Sequence, residues 1–73
     1  MTYIQQTAEQ SYELTTEKGT LVSVHFFGWG RVNVLVGKRL GNGRNFDELV
    51  EAVEAYKSAD VKAALRALIS ELV

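Results

Sequence analysis

Three stretches in the first half of the chain alternate apolar and polar residues, and the links between them are very short. In 12–17, Tyr12, Leu14 and Thr16 fall on one side, Glu13, Thr15 and Glu17 on the other. In 20–27, Val22, Val24 and Phe26 oppose Leu21, Ser23, His25 and Phe27. In 31–36, Val32, Val34 and Val36 oppose Arg31, Asn33 and Leu35. A period of two is the pattern of a half-buried strand. Lys18-Gly19 and Gly28-Trp29-Gly30 read as tight turns, because glycine tolerates positive φ. A parallel crossover needs a dozen or more residues. The three segments therefore form an antiparallel meander.

The segment Gly37–Asn45 carries three glycines and three basic residues. Asn42-Gly43 is a hairpin signal. Either the third strand runs on to Leu40 and a short fourth follows the turn, or the segment is a flexible loop.

Helical period begins at Phe46. Asn45 and Glu48 have the spacing of a capping box. Phe46, Leu49, Val50, Val53 and Tyr56 make one apolar stripe, and Val61, Leu65, Leu68 and Leu72, with Ala64 beside them, make a second. At about 100° per residue the stripes are rotated roughly 80° apart. One straight helix cannot turn both toward one sheet. Ser58 and Asp60 are good helix starters, so two helices broken near Ser58 are expected, with one bent helix as the alternative. Residues 1–11 read as an extra edge strand or a flexible arm. The expected fold is α+β over a single domain, 1–73. It has a three-stranded, possibly four-stranded, antiparallel meander, then two helices on one face in the order β-β-β-α-α.

A chain of 73 residues buries only about 60% of its unfolded surface, which makes stability marginal. Small domains compensate with disulfides, metals or partners. This one has no cysteine, which removes disulfides, zinc thiolates, iron–sulfur clusters and a thiol nucleophile together. With a single histidine, a structural zinc site would lean on carboxylates, an uncommon set. A partner chain, or a homodimer, is the compensation that remains. The 47% hydrophobic content argues for a folded core. No apolar run approaches the roughly 20 residues of a membrane span. The N-terminal ten residues lack the basic and apolar regions of a secretory signal. A cytoplasmic protein is expected.

Catalysis has few candidates. His25 has Ser23 as its neighbour on the same strand face, roughly 7 Å away along the chain. Neither sits in a nucleophile-elbow turn. Asp47, Glu48, Glu51 and Glu54 crowd the start of the first helix. That suits the helix dipole better than a cleft of two facing carboxyls. No calcium-loop spacing occurs, and the phosphate-loop patterns fail, because Asn33 and Phe46 stand where a third glycine is required. No catalytic residue, metal site or cofactor is expected, and the chain reads as a non-enzyme.

Charge is segregated. Lys18, Arg31, Lys38, Arg39 and Arg44 fall in a stretch without acids, and four acids follow between Asp47 and Glu54 without a base. Arginines and aromatics are enriched at the centres of protein interfaces. The expected function is a protein–protein interaction module: an adaptor, a regulator or an inhibitor, one encoded by a phage or mobile element included. Its surface would be the outer sheet face and its turns, with His25, Phe27, Trp29, Arg31, Leu35 and Arg39 as contact residues. The alternative is a nucleic-acid binder using the same basic and aromatic residues, with phosphates on the cations and bases on the rings. The RNA-recognition sheet motif is not matched by HFFGWGRV.

Overall fold

A computed structural model describes residues 2–37 and 43–73. The elements are β1 (Tyr3–Ala8), β2 (Ser11–Thr15), β3 (Leu21–Phe26), β4 (Val32–Val36), β5 (Arg44–Phe46), α1 (Leu49–Ala55) and α2 (Ala59–Leu72). The strands form one antiparallel sheet in chain order, β1-β2-β3-β4-β5. The fold is α+β, with a sheet followed by two helices. The sheet has five strands where the sequence suggested three or four. The proposed extension of the third strand to Leu40, and the residue Asn42, lie outside the described residues.

The register carries the alternation across the sheet. Leu14 stands opposite Val22, Val22 opposite Val36, Val24 opposite Val34, and Phe26 opposite Val32. These residues share the face that the helices cover. Leu14, Val22, Val24, Val32 and Val34 are fully buried there with Ala52, Ala64, Leu65 and Leu68, and Val53 and Val61 close behind. Each such Val or Leu contributes about 1.5–3 kcal/mol. Thr16, the buried polar residue among those described, accepts from the Thr20 N–H at 3.0 Å and so closes the β2–β3 turn.

β1 resolves the ambiguity of residues 1–11. Tyr3–Ala8 pairs with β2, Ile4 opposite Leu14 and Gln6 opposite Tyr12. The segment extends the sheet in its own plane and does not fold over the outer face.

The helical region needs four corrections. Phe46 belongs to β5 rather than to the first helix, because Arg44–Phe46 pairs with Val32–Val34 and turns Phe46 inward beside Val32. Asn45 does not cap a helix. Its side chain accepts from Asn33 Nδ2 at 2.8 Å, while Glu48 stands at the N-cap of α1 without a side-chain bond. Strand pairing outcompetes the local capping pattern here. Val50 is 52% exposed, so the buried stripe of α1 is Leu49, Ala52, Val53 and Tyr56. In α2, Leu72 is 45% exposed and the stripe ends at Leu68. The helix break falls where the rotated stripes placed it. Tyr56 and Ser58 are extended, and Ser58 Oγ accepts from the Val61 N–H at 3.3 Å.

Tyr56 ties α1 to the β4–β5 edge. Its hydroxyl donates to the Val34 carbonyl at 3.4 Å. Its ring lies 6.0 Å from that of Phe46, and the Arg44 guanidinium sits over both rings. Burial raises the phenol pKa, and the nearby Arg44 charge partly opposes this. A raised folded-state value means that the unfolded chain ionises first. Stability linked to Tyr56 is then intact below about pH 10, the ordinary tyrosine value, and lost as pH rises through the folded-state value. Urea melts from pH 8 upward are expected to show an alkaline loss that Tyr56→Phe reduces. An identical alkaline limb in the variant would contradict this assignment.

Candidate partner-binding hairpin and outer sheet face

The β3–β4 hairpin is closed by Phe27 N–H donating to the Arg31 carbonyl at 3.2 Å and by Arg31 N–H donating to the Gly28 carbonyl at 2.9 Å. The second bond defines a four-residue turn with Trp29 and Gly30 at its centre. Both have positive φ, 56° and 78°, as the hairpin turns matching strand twist require. Glycine or asparagine serves such a position without strain. A tryptophan there is a steric outlier. Its side chain is 99% exposed, and that of Phe27 is 46% exposed. Strand alternation puts Phe27 and Arg31 on the outer side of the sheet, where Arg31 Nε lies 3.8 Å from Asp47 Oδ1.

The rest of the outer face is set by register. One row runs Ser11–His25–Asn33–Asn45 across β2, β3, β4 and β5. Within it Ser11 Oγ is 2.7 Å from His25 Nδ1, and Asn33 donates to Asn45. The next row runs Gln5–Glu13–Ser23–Leu35, and the last Tyr3–Thr15–Leu21.

The expected contact residues are thus divided. Phe27, Trp29 and Arg31 meet at the hairpin tip, with His25 in the row below. Leu35 stands on the far side of the polar row, four residues and roughly 13 Å along the strand from Arg31. With Leu21 and Tyr3 it belongs to the opposite end of the face. Arg39 lies outside the described residues. Sequence reasoning missed Ser11, Asn33 and Asn45 as members of the site; Ser23 does share the strand face of His25, but the serine bonded to the ring is Ser11, across on β2. The signal was present: folding the chain about Lys18 pairs residues whose numbers sum to 36, which sets Ser11 against His25.

The row offers hydrogen-bonding groups at strand spacing, about 4.8 Å apart. It does not assemble a nucleophilic triad. His25 has Ser11 and Asn33 across from it, and neither is the carboxylate that orients a catalytic base. Among the described residues no three histidines, aspartates or glutamates gather in a way that could hold a metal, and every buried side-chain nitrogen and oxygen has a hydrogen-bond partner. No described helix is long and apolar enough to cross a membrane. In comparisons with family models, with curated proteins and with solved structures, this chain shows no match.

Proposed function

We propose that the chain is a protein-binding module that presents the β3–β4 hairpin tip to its partner, with Trp29 as anchor and Phe27, Arg31 and His25 around it. Adaptor, regulator and inhibitor roles all fit such a surface. The observation that carries the reading is the backbone of Trp29. An L-residue in the left-handed region costs roughly 1–2 kcal/mol, and a fully exposed indole forgoes the large burial energy of an aromatic side chain. Both costs are offset when the ring enters a partner's pocket, and tryptophan and arginine are the residues that dominate such contacts. Strain of this kind gathers at functional positions.

The same ring could stack on a nucleic-acid base, but the placement of Arg31 and Arg44, the described cations nearest the hairpin and β5, favours a protein partner. Arg31 faces Asp47. Arg44 lies over Phe46 and Tyr56 on the helix side of the sheet. The outer face carries Glu13.

The test is capture by the immobilised chain from nuclease-treated lysate, wild type against Phe27→Asp. A protein retained by the wild type and lost with the variant, while the variant keeps its circular dichroism, is the expected result. Retention of the same proteins by both would remove the tip from the contact. Tight, salt-sensitive binding of a single-stranded oligonucleotide would favour the nucleic-acid reading.

A further inference from the structure

The sheet has two edges, and they differ in how they are guarded. β5 is three residues long and carries exposed Arg44. β1 is six residues long, YIQQTA, with no charge and no proline. Its register shift is confined to the end, between Gln6 and Ala8, so Tyr3–Gln6 is a regular strand. Charged residues, proline, shortness and bulges are the usual protections of an edge, and β1 has only an irregularity past Gln6, which leaves Tyr3–Gln6 open.

The backbone groups that β1 leaves free follow from alternation. Phe26 N–H bonds to Gln10 on the β2 side and Phe27 N–H to Arg31 on the β4 side. Val22 and Val24 therefore face β2, and their partners Leu14 and Tyr12 face β3. Glu13 and Thr15 then face β1, where they meet Gln5 and Tyr3. Ile4 and Gln6 are left with N–H and C=O directed away from the sheet.

We propose that the β1 edge is the site of a two-fold homodimer, in which Ile4 pairs with the partner's Gln6 and Gln6 with the partner's Ile4. This antiparallel register satisfies the free donors and acceptors of both residues in both copies. It places Gln5 beside the partner's Gln5 at the two-fold axis and sets no charge against a like charge. A second copy is the occupant because the edge is complementary to itself. Pairing β1 with β5 would instead be head-to-tail and would leave edges open for further chains, whereas β1 with β1 closes. The dimer uses a different part of the molecule from the hairpin tip, so it stands or falls independently of the proposed partner binding.

Gln5 gives the test. It is exposed and lies across from Glu13, so Gln5→Lys gains a favourable neighbour within the monomer. At the axis it sets two ammonium groups against each other, and Gln5→Glu does the same with carboxylates. Sedimentation equilibrium of the full chain is expected to give twice the 8.1 kDa monomer mass for the wild type. Dissociation should be at least about 10-fold easier for either variant alone, with the dimer restored in their equimolar mixture. Amide exchange at Ile4 and Gln6 should be about 10-fold slower in the wild type than in Gln5→Lys. A wild type that stays monomeric up to millimolar concentration overturns the proposal. So do variants that dimerise like the wild type, or a dimer in which those two amides exchange freely.

Discussion

Trp29→Gly is expected to make the protein more stable and its partner binding much weaker. Relief of the left-handed strain returns roughly 1–2 kcal/mol. The greater freedom of glycine in the unfolded chain takes back about 0.4–1 kcal/mol. The net gain of roughly 0–1.6 kcal/mol centres near 0.8 kcal/mol, which corresponds to about 3–6 °C in Tm for a domain of this size. No packing is lost, since the ring is 99% exposed. Binding should fall by about 30-fold or more, the effect of truncating an anchor that supplies about 2 kcal/mol. Trp29→Asn should behave alike, because asparagine tolerates the same backbone region. Thermal melts and affinity for the captured partner provide the two readings. A variant that melts lower, or binds as the wild type does, refutes the account of Trp29.

The opposed signs are what make this substitution informative. A variant that both destabilises and loses binding says little, because unfolding alone explains it. A more stable variant that no longer binds isolates the contact. Phe27→Asp lacks that property. It introduces a carboxylate next to Arg31, close to Asp47, and must be accompanied by a check of the fold.

The middle of the sheet was legible in the sequence because it is covered on one face only. β2, β3 and β4 bury alternate residues, so a period of two is printed in Leu14, Val22, Val24, Val32 and Val34. β1 was not legible for the complementary reason. Only Ile4 of its six residues is even half-buried, and a strand with no buried face has no alternation to show. β5 is too short for any period, and Phe46, three residues before Leu49, fell in phase with the helix stripe by its spacing alone. The helix break could be read from the rotation of the stripes, since packing against one sheet demands it. At the site, Gly28-Trp29-Gly30 announced an exposed aromatic turn. The polar row could not be seen from one strand at a time, because Ser11, His25, Asn33 and Asn45 come from four of them.

Gly43, just before β5, differs from the other described glycines. Gly19, Gly28, Gly30 and Gly37 have positive φ, and Gly43 is not among them. What Gly43 supplies is space. A Cβ there would stand 2.5 Å from Asn33 Oδ1, 2.6 Å from the Val34 carbonyl oxygen and 2.9 Å from its carbon. Asn33 could swing aside only by giving up its bond to Asn45. The Val34 carbonyl is backbone of a central strand and already accepts from Tyr56. Relief therefore requires β5 to move off β4, which disturbs Phe46 and the Arg44–Tyr56 contact together. Gly43→Ala is expected to cost about 1–3 kcal/mol, the usual price of overpacking, against a total of roughly 4–11 kcal/mol for 73 residues. Conformational freedom alone predicts the opposite sign, a gain of about 0.4–1 kcal/mol at a position alanine can adopt. Urea denaturation decides between them. Faster amide exchange in Arg44–Phe46 than in β2 or β3 would locate the damage at β5. An unchanged or raised midpoint would mean that β4 and β5 yield without cost, and the close approach at Gly43 would not be what holds that edge of the sheet.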